Sequence, residues 1–134
     1  MMTAEEKYEY WLDIAEYDLG TAISLYEKGR WLYVSVMCQQ AIEKLVKGLY
    51  TLYVDDNIPR IHNIKNIIER FEDKLPAAIP EEKYRLFEDL SAYYLNNRYP
   101  DYMSKLSSQI TEAEAKEILV LTKESFTWLL TLKP

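Results

Sequence analysis

The sequence predicts an all-α protein, an up-and-down bundle of about five helices. Three observations carry that prediction. Only three glycines and five prolines interrupt the chain, too few for the frequent tight turns of a sandwich or barrel of short strands. Apolar residues recur at helical rather than alternating spacing over most of the length. Two capping boxes, Thr3-Ala4-Glu5-Glu6 and Thr111-Glu112-Ala113-Glu114, mark helix starts by pairing a hydroxyl with a carboxylate three residues on.

The first helix begins at Thr3 and lines Trp11, Ala15, Leu19, Ala22 and Tyr26 along one face. Gly29, free to adopt the left-handed conformation, is its natural stop. The second helix follows almost at once, from about Trp31 to Tyr53, so the pair is expected to be antiparallel. At about 100 degrees per residue, Val34, Cys38, Ala41, Leu45, Leu49 and Leu52 project to one side, with Ile42 and Val46 widening the sector. Gln40, Glu43, Lys44 and Lys47 gather opposite them.

Asp55, Asp56 and Asn57 with Pro59 read as a loop, since Asx residues turn the chain and proline disfavours helical geometry at Ile58. A short third helix is expected through Ile64, Ile67, Ile68, Phe71 and Leu75, capped by Asn63 and closed by Pro76. Pro80, Glu81 and Glu82 suit the first turn of a fourth, which buries Leu86 or Phe87, Leu90 and Tyr94 and fails around Asn96-Asn97. The last helix runs from Thr111 through Ala115, Leu119, Phe126 and Leu129 to near Lys133.

With 134 residues, 49% apolar and 28% charged, the chain is expected to form one domain over residues 1–134, with a core that needs neither disulfide nor metal. The single cysteine, Cys38, reads as a small buried hydrophobe. No segment approaches the roughly 20 apolar residues of a membrane span, so no membrane partner and a cytoplasmic location are expected. The net charge of -6 argues against broad adhesion to phosphate backbones but leaves room for a local basic site.

Three polar constellations are candidates for function. Gln40, Glu43, Lys44 and Lys47 form either a solvated face, with Glu43 and Lys47 an i,i+4 pair of roughly 0.2–0.5 kcal/mol, or a groove offering charge and directed hydrogen bonds to a phosphate or base. His62, the only histidine, either anchors its loop or contacts a ligand; being alone, it excludes a multi-histidine metal site and a paired-histidine mechanism. In Arg98-Tyr99-Pro100-Asp101-Tyr102, Arg98 can grip phosphate and the rings can stack a base, or Arg98 and Asp101 can pair locally. The 12 tyrosines suit wet core edges or a self-association surface. There is no Gly-rich phosphate loop and no nucleophile elbow, and no metal or other cofactor is expected.

Taken in order, Ala15-Glu16-Tyr17-Asp18-Leu19, the run from Gln39 to Lys47, Ile61-His62-Asn63-Ile64 and Arg98-Tyr99-Pro100-Asp101 give a chain that resembles a HEPN domain (higher eukaryotes and prokaryotes nucleotide-binding) over nearly its whole length. The resemblance implies a helical bundle that commonly dimerises, often encoded beside a minimal nucleotidyltransferase in toxin-antitoxin-like pairs. Many HEPN proteins are metal-independent ribonucleases whose motif is an arginine, a short spacer and a histidine. Arg98 stands where that arginine does, but Met103, Ser104 and Lys105 occupy the places for the histidine. None can shuttle a proton near neutral pH as imidazole does. Where relatives carry a tyrosine adenylylated by the partner, this chain has Lys105, and Tyr102 is out of register.

The resulting expectation is a module without catalytic residues that binds a nucleotide, an RNA or a nucleotidyltransferase partner. Gln40, Glu43, Lys44, Lys47, His62, Arg98, Tyr99 and Asp101 would line its ligand groove. The alternatives are a ribonuclease toxin in which His62 approaches Arg98, and a homodimeric scaffold.

Overall fold

The structure, a computed structural model, describes residues 1–96 and 110–134. Among these residues there are helices and no strands. They comprise α1 (Ala4–Glu27), α2 (Trp31–Tyr53), α3 (Ile64–Ile68), α4 (Glu81–Asn96) and α5 (Glu112–Leu130), with a 3-10 turn at Glu72–Lys74. Helix α2 is the hub, since every other described helix packs on it.

The local signals act as the sequence predicts. At the start of α1 both halves of the capping box form: the Glu6 amide donates to the Thr3 hydroxyl and the Thr3 amide to the Glu6 carboxylate, at 3.1 and 3.0 Å. That bond holds the Glu6 carboxyl below its ordinary range. Gly29, at φ 74°, ends α1 in a Schellman motif, with Arg30 N–H on the Leu25 carbonyl and Gly29 N–H on that of Tyr26. At α5 only half of the expected capping box forms, the Thr111 hydroxyl accepting from the Glu114 amide, and the Pro80 carbonyl accepts the first amides of α4.

The tight turn at Gly29 folds α2 back antiparallel on α1, so Asp18 meets Lys44 and Tyr8 and Trp11 meet Gly48. A Cβ at position 48 would lie 3.1 Å from Trp11 Cβ and 3.3 Å from Tyr8 Cδ2, so glycine lets the two helices approach here. The core runs through Ala15 and Ala22 of α1 and Val34, Ala41, Leu45 and Leu49 of α2 to Phe87 and Leu90 of α4 and Phe126 and Leu129 of α5. Cys38 is wholly buried, as expected, and burial pushes its thiol up to about 12.

Two expectations are corrected. The third helix stops at Ile68 rather than reaching Leu75, because Phe71, at φ -138°, leaves helical geometry. Its ring is thereby buried flat against Tyr53, centroids 5.7 Å apart, and edge-on to Tyr50. The polar side of α2 is also no solvated face: Glu43 and Lys47 are buried, at 1% and 9% exposure. A helix surrounded by four others has little free surface to give to a polar stripe.

Candidate ligand-binding site

The polar residues of α2 fall into two adjacent rows, each with its members one helical turn apart: Gln39, Glu43 and Lys47, and beside them Gln40 and Lys44. The first row faces the segment leading into α3. Gln39, fully buried, donates through Nε2 to Glu43 Oε1 at 2.8 Å and to the His62 carbonyl at 3.1 Å. Lys47 Nζ lies 3.0 Å from Glu43 Oε2. His62 Nδ1 sits 3.2 and 3.3 Å from the two Glu43 oxygens. The Glu43 side chain, 2% exposed, thus gathers an ammonium, an amide and an imidazole. Because an ionised carboxylate only accepts, Nδ1 carries the hydrogen and Nε2 is left for another partner.

The second row faces α1. Lys44 Nζ bonds Asp18 Oδ2 and Gln40 Oε1, both at 3.1 Å. Gln40 Nε2 donates to Gln39 Oε1 at 2.6 Å, joining the rows into one chain of contacts from Asp18 to His62. Two carboxylates, Asp18 and Glu43, balance the ammoniums of Lys44 and Lys47. The buried charges are therefore paired, as low-dielectric surroundings require.

His62 is fixed from a third side by Tyr94 of α4, ring centroids 4.9 Å apart. The α3 entry is tied to the same helix by the Ile64 amide on Ser91 Oγ at 3.3 Å. His62 therefore both anchors its loop and keeps one ring nitrogen uncommitted to Glu43.

Of the predicted site residues, Gln40, Glu43, Lys44, Lys47 and His62 are brought together; Arg98, Tyr99 and Asp101 lie outside the described residues, as do Met103, Ser104 and Lys105. Sequence reasoning missed Asp18, Gln39 and Tyr94 as parts of the constellation. Asp18 lies on the stripe of Ala15 and Ala22, and Gln39 shares a face with Ser35, Ile42 and Val46. A polar residue inside an apolar stripe was the available signal.

Lys47 and His62 open onto a cleft of about 440 Å³ bounded also by Trp11 and residues 56–60. A larger groove of about 560 Å³ lies between α4 and α5, away from the polar chain. Its lining sets Glu82, Asp89, Glu114 and Glu117 against Arg85, the wrong sign for phosphate. The cleft at His62 is the better match to an anionic ligand. Among the described residues no group of His, Cys, Asp and Glu is placed to hold a metal, and no helix is long and apolar enough to cross a membrane.

The described residues thus form a small all-α bundle whose central helix carries a buried polar chain to a loop histidine. The family model for the HEPN domain matches residues 8–132, and the chain belongs to that family. No curated protein and no solved structure matches it.

Proposed function

We propose that this chain is a non-catalytic HEPN module that binds a nucleotide- or RNA-like ligand, acts as a homodimer and partners a minimal nucleotidyltransferase in a toxin-antitoxin-like pair. The observation that carries the non-catalytic part is in the sequence: Met103, Ser104 and Lys105 stand where the family's ribonuclease motif places its histidine after Arg98. The binding part is supported by family membership and by Lys47 and His62 at the edge of an open cleft. In the sequence Arg98 follows α4, the helix whose Tyr94 packs on His62.

The test is fluorescence anisotropy with a labelled single-stranded RNA, with gel analysis of the same mixture. Binding without cleavage is expected, weakened roughly tenfold by Arg98→Ala, the scale of one charge-assisted phosphate contact. Equal binding by the variant would remove Arg98 from the site. Co-purification with the product of an adjacent nucleotidyltransferase gene would test the partner, and its absence from a stable complex would count against that role.

One observation favours a second reading, a metal-independent ribonuclease. Glu43 holds Nδ1 of His62 and leaves Nε2 uncommitted to it, the orientation of a histidine that moves a proton. Cleavage of the RNA that disappears in both His62→Ala and Arg98→Ala would establish it over the first.

A further inference from the structure

The groove between α4 and α5 is made by two helical stripes that face each other. On α4 the stripe passes from Glu82 through Leu86 and Asp89 to Tyr93, and on α5 from Glu114 through Ile118 to Leu121, at steps of three and four residues. Both helices pack on α2, and the groove runs between them, open to solvent. Its floor is apolar: Leu86 and Leu90 are buried, Ile118 is half-buried, and Leu121 keeps 39% of its surface exposed. From Glu82 to Tyr93 the stripe runs about three turns, roughly 16 Å, and the fold leaves its apolar surface uncovered there.

The rims carry one sign. Glu82 and Asp89 on α4 and Glu114 and Glu117 on α5 are all exposed, with Arg85 the one cation among the described lining residues. None of the four carboxylates forms an ion pair with another described residue. The Tyr93 hydroxyl, in the same groove, is pushed up by its burial and then by Glu114 and Asp89, which stand on opposite walls. The two rims therefore act on one volume, and Arg85 offsets their charge only in part.

That combination selects an occupant. Phosphate backbones and anionic membrane surfaces meet four carboxylates and are repelled. Two copies joined groove to groove would set the same carboxylates against each other, because a two-fold contact pairs a patch with itself. An extended segment finds no sheet edge to extend, since the described residues include no strand. A helix, by contrast, seats between two helices as a ridge in a groove.

We propose that the α4–α5 groove docks one amphipathic helix of a partner protein, with apolar residues on the face that enters and lysine or arginine along both flanks. Leu121 and Ile118 receive the apolar face, and Asp89 on one rim and Glu117 on the other receive the cations. The inference uses neither the polar chain nor Arg98 and goes beyond the ligand-binding function proposed above.

The experiment is fluorescence anisotropy of the full chain with a labelled synthetic peptide of leucine and lysine, about 14 residues long, whose leucines recur at helical spacing. A peptide of the same composition with leucine and lysine alternating is the control. Saturable binding of one helical peptide per chain is expected, weakened roughly tenfold by Leu121→Ala and several-fold by Asp89→Asn with Glu117→Gln. Glu16→Gln with Glu27→Gln removes the same charge from exposed positions of α1 and is expected to leave the affinity nearly unchanged. Circular dichroism verifies that each variant is folded.

A helical peptide that does not bind overturns the proposal. So does equal binding of the alternating peptide, or an equal loss from the two charge-neutralising pairs, since either reduces the contact to charge alone. Displacement of the peptide by single-stranded RNA would give the groove to nucleic acid, and a dimer that Leu121→Ala dissociates in sedimentation equilibrium would give it to a second copy; each overturns the docked helix. The titration contains no RNA, so its failure leaves the RNA-binding reading standing.

Discussion

At the scale of single residues, Glu43 decides how the polar chain should be valued. As a surface i,i+4 partner of Lys47 it would contribute roughly 0.2–0.5 kcal/mol. At 1% exposure its removal instead leaves Lys47 and the His62 ring without this acceptor and Gln39 with the His62 carbonyl alone. Breaking a buried pair from one side costs about 3–5 kcal/mol, whereas replacing both partners with apolar groups of similar volume costs far less. Glu43→Ala is therefore expected to lower stability in urea unfolding by about 3–5 kcal/mol, and Glu43→Leu with Lys47→Met by less than the single change. A loss below about 1 kcal/mol for Glu43→Ala would mean that water, not the protein, solvates this carboxylate. The pairing itself was legible from spacing; its burial was not, because periodicity names the two faces of a helix but not how many neighbours cover them.

At the scale of elements, the two glycines inside helices make opposite predictions from the same residue type. Gly20 has nothing within 4 Å of where a Cβ would stand, so Gly20→Ala is expected to stabilise by about 0.5–1 kcal/mol through helix propensity. At Gly48 the same methyl meets Trp11 and Tyr8, and Gly48→Ala is expected to destabilise by about 1–3 kcal/mol despite that gain. Thermal unfolding of the two variants checks both signs. Helices α1, α2, α4 and α5 were readable because caps, prolines and Gly29 punctuate them. The end of α3 was not, because Ile64, Ile67, Ile68 and Phe71 keep helical spacing although the backbone turns before Phe71. Only the rings of Tyr50 and Tyr53, distant in sequence, give Phe71 a reason to depart.

At the scale of the whole molecule, the expected homodimer is the open property. Beyond the residues that line the α4–α5 groove, the described surface exposes Tyr10, Tyr17 and Val120, apolar area that an interface could cover. Sedimentation equilibrium is expected to show a reversible, concentration-dependent dimer; one mass at every concentration would argue for a monomer. The bundle and the family were legible over nearly the full length, since each motif among the described residues that carries the resemblance lies on a helix or beside one. The site was legible only in part: the sequence pointed to Gln40, Glu43, Lys44, Lys47 and His62 but not to Trp11 or Arg60. Those two join the cleft through the antiparallel return of α1 on α2 and the loop after it, a placement that requires the tertiary fold.

The close seating of α1 on α2 at Gly48 also bears on how the chain reaches this structure. The hairpin closes through a turn at Gly29, so its contacts are made at little loop-closure entropy. Docking α5 onto α2, by contrast, joins segments separated by α3, α4 and their connections. Contacts between near neighbours in sequence favour rapid formation. The contact that seats Trp11 on Gly48 is therefore expected to form early, with the polar row facing α1 assembling before the bundle is complete, an order that pulsed hydrogen exchange during refolding would check.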